Sequence, residues 1–252
     1  VRLFVVDAFT DSAFRGNPAG VVLLDTPAEA AWMQAVAAEL RHSETAFVVT
    51  AEEPKPLRWF TPETEVDLCG HATLAAAHVL GGEQAFGTRS GVLHCRAEDG
   101  RVAMDFPADP PTPVAEDVAA ALPGATVEHV LRGGTDLLAV LRDGGEVRAL
   151  RPDLDAVAGL GARCLIVTAP GDRAGIDVVS RVFAPAVGIP EDPVTGSAHC
   201  TLAPYWARRL GRDALTAEQA SARGGIVHLR LDGERVTLSG GAVTVVDGTL
   251  RV

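Results

Sequence analysis

Three short segments of this chain occur twice, in the same order. FVVTA at residues 47–51 returns as LIVTA at 165–169, RWFTP at 58–62 as RVFAP at 181–185, and CGHATL at 69–74 as TGSAHCTL at 195–202. The offsets are 118, 123 and 126, so only small loop insertions separate the copies. A sequence that repeats itself this way is expected to build one unit twice. Two like units usually pair about an approximate twofold axis, with their loops meeting in a cleft.

Periodicity and turn residues place the same elements in each copy. The first half reads as strand 2–7, a turn in RGNPAG, strand 20–24, helix 27–41 with Pro27 at its first position, strands 45–50 and 57–61, and helix 71–80. A hairpin of 91–97 and 101–106 turns at EDG. The second half reads as a hairpin of 127–131 and 137–142 over RGGTD, a helix near 153–160, strands 163–169 and 179–184, and helix 197–210. A hairpin of 225–231 and 235–239 and a strand near 242–251 close the chain. FPADPPTPV at 106–114 is the Pro-rich break. It divides the chain into half-domains 1–108 and 109–252, with the last strand, near 242–252, able to pack back on the N-terminal half.

Composition excludes several function classes. A formal net charge of -11 argues against nucleic acid or an anionic membrane as the main partner. Lys55, in EEPKP, is the single lysine, and an exposed loop is a poor setting for a Schiff base, which needs burial. Cys69, Cys95, Cys164 and Cys200 are too scattered for a disulfide scaffold. No leader pattern opens the sequence and no apolar run reaches the ~18 residues of a membrane span, so a reduced, cytoplasmic protein is expected.

Chemistry concentrates at the repeated glycine turns. A helix starting at Gly70-His71 or at Gly196-Ser197 leaves its first N–H groups unpaired and carries roughly half a positive charge at that end. Two such ends facing each other would hold a carboxylate. Ser197 can cap its own helix or donate to the ligand. What the copies do not share is as informative. Glu44, in RHSETAFVV, heads into an apolar strand, where partial desolvation would suit it to proton transfer; its counterpart at the 118 offset is Ala162. A solvated charge at a helix-to-strand corner is the alternative. Cys69 is answered by Thr195, which is no base at neutral pH, so a symmetrical two-thiol racemase is disfavoured. His71 can bond to substrate or carry a proton, and Asp192 can orient substrate or receive an ammonium; a helix cap and an Asx turn are the plain alternatives. GLGARC precedes a strand instead of opening a helix, which argues against a dinucleotide site. His71 and His78 lack the i, i+4 spacing of a zinc pair, and no metal is expected. Pro204 falls inside the last helix and predicts a kink or a first-turn restart.

DAFTDSAFRGNPAGVVLL, SETAFV, FTPETEVDLCGHATLAAAHVL and EDPVTGSAH together resemble the PhzF family, the phenazine-biosynthesis-like isomerases, over nearly the full length. The wider group is similar to diaminopimelate epimerase and proline racemase. The resemblance implies an α+β fold of two similar half-domains, each a central helix wrapped by a twisted, mostly antiparallel sheet, with the active site in a cleft between them. It implies cofactor-independent isomerisation of a small carboxylate-bearing substrate, and a homodimer. On this resemblance Glu44 is the acid/base, His71, Asp192 and Ser197 meet the substrate, and Gly70 and Gly196 supply amides. Asn17, in GNP, matches a further signature, whose plain alternative is a turn-forming asparagine. Cys69 and Thr195 line the same turns. The rival functions are a racemase or epimerase using Cys69 with Glu44, and a silent small-acid binding protein.

Overall fold

Apolar runs bounded by glycine and proline become strands, and their pairing is the same in both halves. Residues 1–251 are described in the computed structural model. They fall into two compact units, one of Val1–Asp105 with the C-terminal stretch from Ser239, the other of Phe106–Leu238. In the first unit the elements run β1 (Arg2–Ala8), β2 (Asn17–Leu24), α1 (Ala30–Leu40), β3 (Glu44–Val49), β4 (Lys55–Phe60), β5 (Glu65–Val66), α2 (Gly70–Leu80), β6 (Gly82–Thr88), β7 (Gly91–Glu98) and β8 (Arg101–Pro107). Then come β9 (Thr112–Pro113), β10 (Val127–Gly133), β11 (Asp136–Leu141), α3 (Gly144–Ala149), α4 (Leu154–Ala158), β12 (Leu165–Pro170), β13 (Val178–Ala184) and β14 (Ile189–Asp192). After these follow α5 (Gly196–Leu210), β15 (Ala214–Gln219), β16 (Gly225–Asp232) and β17 (Arg235–Thr249).

The ladders repeat strand for strand. β2 lies antiparallel to β1 and parallel to β3; β4 lies antiparallel to β3 and β5 and parallel to β6, which is antiparallel to β7. In the second unit β11 lies antiparallel to β10 and parallel to β12; β13 lies antiparallel to β12 and β14 and parallel to β15, which is antiparallel to β16. The parallel steps need crossovers, which α1 supplies in one copy and α3 with α4 in the other. Residues 242–249 of β17 pair antiparallel with β1. Helix α2 packs on β1, β2, β3, β6 and β7 and buries every residue from His71 to Ala77. Its alanines explain the closeness: a helix apolar all round must be covered all round, and small side chains let strands approach.

Charged braces are duplicated too. Arg58 grips Glu65 through Nε and Nη2, both at 2.7 Å, and lies 5.2 Å over the Phe60 ring. Arg181 grips Glu191 in the same two-pronged way at 2.7 and 2.9 Å, and lies 4.9 Å over Phe183. Arg181 is buried, and its remaining donor Nη1 reaches the carbonyls of Val147 and Leu150 at the end of α3, so none of its charge is left unanswered. The helix starts match as well. Thr73 Oγ1 donates to the Cys69 carbonyl at 2.6 Å, and His199 Nδ1 donates to the Thr195 carbonyl at 2.7 Å, each three residues past the glycine.

Several expectations are corrected. The turn sits at Gly16, whose φ is +66° and where a Cβ would lie 2.1 Å from the Ala8 carbonyl oxygen, so β2 begins at Asn17 and not at 20. Pro27 lies before α1, whose N-cap is Glu29. Lys55 is not in an exposed loop; it opens β4 and is paired with Glu53. Pro204 neither ends nor restarts α5, because the Cys200 carbonyl that it leaves without a helical donor takes the Asp109 N–H at 3.1 Å. Ser239 to Gly241 do not break the last strand; a Cβ on Gly241 would meet the Asp11 Oδ1 at 2.1 Å, so glycine serves a close approach there. No helix among the described residues is long and apolar enough to cross a membrane.

Two stability measurements follow. Glu191→Ala strands the buried Arg181 and should lower unfolding free energy by about 3–5 kcal/mol. Glu65→Ala should cost clearly less, since the Arg58 side chain is 33% exposed against 10% for Arg181; urea midpoints compare the two. Burial pushes His199 down to about 4, the bond to Thr195 opposing it only in part. Below its unfolded value of about 6.5 the unfolded chain takes up a proton that the folded chain refuses, so this group makes stability fall as the pH drops, by up to ~1.4 kcal/mol per unit. His199→Gln should flatten the urea-midpoint profile between pH 6.5 and 4.

Candidate active site

In the first unit, four side chains converge where β2, β3 and α2 begin. The parallel register sets Glu44, first residue of β3, beside Ala19, two residues along from Asn17. The glycine turn brings His71 in at the second position of α2, with Cys69 as the N-cap. Glu44 Oε2 lies 3.4 Å from His71 Nε2. At the other ring nitrogen, Asn17 Nδ2 lies 3.3 Å and Cys69 Sγ 3.5 Å from His71 Nδ1. Asn17 and Cys69 are buried, and the Glu44 side chain is 14% exposed.

These contacts fix the state of the ring. An amide nitrogen only donates, so Nδ1 accepts from Asn17 and the single proton of a neutral imidazole sits on Nε2, facing Glu44. Burial pushes His71 down to about 3, with His42 adding to the shift. The Glu44 carboxylate pulls the other way, but removal of the ring from water dominates and it stays neutral at pH 7. Asn17 thus does more than form a turn: its side chain selects the tautomer.

Glu44, Cys69 and His71 also offer ligand atoms within 4.8 Å of one another. Cys69 and Glu44 approach different ring nitrogens, yet the sulfur and a carboxylate oxygen also lie within 4.8 Å of each other, so the three groups close on one small space.

The second unit carries its own cluster at the start of α5. The Thr195 hydroxyl, which could cap the helix, instead donates to Asp192 Oδ2 and accepts from Gln219 Nε2 at 3.2 Å. Gln219, wholly buried, also accepts from the Thr195 N–H at 2.9 Å and donates to the Asp192 carbonyl at 2.7 Å. Ser197 is exposed, and its Oγ accepts from Arg163 Nη2 at 3.0 Å. Neither Cys69 nor Thr195 caps its helix through its side chain, and neither first turn holds an acidic residue, so both positive helix ends stay available to an anion.

Strand pairing revises the counterpart of Glu44. Thr45 pairs with Phe60 and Leu165 with Phe183. With Phe60 answering Phe183, Thr45 answers Leu165 and Glu44 answers Cys164, two residues beyond Ala162. Burial raises the Cys164 thiol strongly, helped by Asp136, so this position offers no base. Arg163, Asp136 and Gln219 were not singled out by sequence. Arg163 had a signal, lying next to the repeated strand; Gln219 had none, being the polar residue of an inward-facing row that it shares with Leu215 and Ala217.

The phenazine biosynthesis-like protein family (PhzC-PhzF) matches residues 6–248. An uncharacterized isomerase of Pseudomonas aeruginosa is 51% identical over 98% of this chain and 97% of its own. A PhzF-family protein of Enterococcus faecalis superposes with a TM-score of 0.95 at 40% identity, covering 100% of this chain and 99% of that one. A PhzC/PhzF protein of Clostridium difficile gives 0.92 at 38% identity, covering 100% and 99%. With relatives named as isomerases at this level and a match along almost its whole length, the chain belongs to the phenazine biosynthesis-like (PhzF) family and is an isomerase.

Proposed function

We propose that this protein moves a proton, and with it a double bond, within a small carboxylate-bearing metabolite, using Glu44 as its sole acid/base and no cofactor. The observation that carries this reading is the 3.4 Å approach of Glu44 to the Nε2–H of a buried, neutral His71. An imidazolium there would neutralise the carboxylate and weaken it as a base. A neutral ring beside it leaves the basicity of the carboxylate in place.

The steps balance without an outside reactant. Glu44 takes a proton from a carbon next to a double bond, and the electron pair shifts through that double bond. The Glu44 carboxylic acid then returns the proton at the far carbon, and nothing is oxidised or reduced. Charge that builds up on the substrate's acid group is met by the first-turn amides at Gly70 and His71. On this reading Asp192, Thr195, Gly196 and Ser197 are further substrate contacts, with Asp192 taking a donor group such as an ammonium. One carboxylate serves both carbons when the substrate is held close and water is kept out.

The racemase reading needs Cys69 as a second base. Its sulfur lies at 3.5 Å from the same ring nitrogen that accepts from Asn17, and a ring pushed down to about 3 is a poor acceptor for the thiol proton. That favours one base over two.

Glu44→Gln should lower turnover by ~10²–10⁴ while the protein stays folded, the usual worth of positioned proton transfer. The readout is deuterium incorporation from D₂O in a screen of small carboxylic acids; undiminished incorporation sinks the mechanism. Cys69→Ala separates the rivals, since a single-base enzyme keeps its exchange and a two-base enzyme loses it.

A further inference from the structure

We propose that Arg163 sets the direction of the Ser197 hydroxyl, and so makes the start of α5 select a carboxylate over a neutral group of the same shape. This rests on the reading above, in which that helix start meets the substrate. Arg163 lies outside every motif that carries the family resemblance.

The argument is one of donors and acceptors. A guanidinium has only N–H groups to offer, so where Arg163 Nη2 meets Ser197 Oγ at 3.0 Å the serine oxygen must accept. Its own hydrogen is then left to point elsewhere, and Ser197 faces a ligand as a donor. The acidic groups nearby are engaged in ways that keep this donor character. Asp136, buried, takes the Arg163 Nε at 2.9 Å and also pairs with Nη2, while accepting from Thr135 Oγ1 at 3.3 Å. Asp192 takes the Thr195 hydroxyl, which Gln219 holds in turn. The guanidinium is further fixed through its own backbone, whose N–H donates to the Thr135 carbonyl at 2.9 Å.

A ligand atom at Ser197 therefore meets a hydroxyl proton backed by a fixed positive charge. A carboxylate oxygen gains from both. The N–H₂ of a carboxamide would turn two donors toward each other, and its carbonyl gains less because it carries no full charge. Arg163 is thus a positioning residue that acts through Ser197, with Asp136 as the clamp that holds it.

The test compares benzoate with benzamide by isothermal titration. The wild-type protein should bind benzoate more tightly by about tenfold or more, the scale of one hydrogen bond to a charged group. Arg163→Gln alone would strand the buried Asp136, so it is paired with Asp136→Asn. This neutral pair should bring the benzoate-to-benzamide ratio close to one, and Arg163→Lys should restore part of it. Ser197→Ala should lower the ratio by a similar factor and add little when combined with the neutral pair. A wild-type ratio near one, a ratio unchanged in the neutral pair, or effects that multiply would each overturn the proposal. A loss of stability alone lowers binding of both probes and leaves the ratio unmoved. Failure of the Glu44 mechanism shows separately, as undiminished solvent exchange in Glu44→Gln, which this ratio does not read.

Discussion

Strand register is the constraint from which the chemistry of the first unit follows. β3 lies parallel to β2 with Glu44 beside Ala19, and a slip of one residue would turn every side chain of the strand to the other face. Thr45, wholly buried, would then stand where the acid now stands. Several contacts resist such a slip. A Cβ at Gly20 would press on Thr45 Oγ1 at 2.9 Å, so the two strands meet closely at that pair. Phe47 and Phe60 meet edge to face at 5.6 Å on the covered side of the sheet. The acid/base candidate is therefore held by packing behind it as well as by its approach to His71.

The same scaffold in the second unit carries different side chains, which gives the duplication its use. The braces Arg58–Glu65 and Arg181–Glu191 keep their geometry, as do the bonds from Thr73 and His199 to the carbonyl that starts each helix. These are scaffold features, and both copies need them. Glu44 is answered by an inert thiol, His71 by Ser197, and Cys69 by Thr195. One copy holds a carboxylate beside a neutral imidazole; the other holds hydroxyls oriented by a guanidinium and a buried amide.

Much of this was legible in sequence because it is periodic or local. The glycine that opens each of α2 and α5 announced itself, and the apolar strands on either side were bounded by turns. The elements that escaped lack those signals. β6 (GEQAFGT) and β15 (ALTAEQ) are short, polar and follow directly on a helix, so neither period shows. α3 begins with two glycines and is held by an Asp143 cap and by the donors of Arg181, which no local pattern reveals. Glu44, His71, Asn17 and Cys69 could be named from motifs, but which ring nitrogen each approaches could not. Sequence spacing also misaligned β3 with β12 by two residues, because loop insertions move offsets while hydrogen-bond register does not.

Neutrality of His71 ties fold to chemistry. A helix start exposes positive charge, and an imidazolium at its second residue would add more in a place already stripped of water. The fold avoids this by burying the ring and giving Nδ1 a donor, so that the remaining proton must sit on Nε2. The carboxylate opposite then faces a dipole instead of a full charge. It is not neutralised there, and the first turn of the helix holds no acidic residue of its own. The apolar packing that makes α2 a core helix is thus also what keeps the ring beside Glu44 neutral.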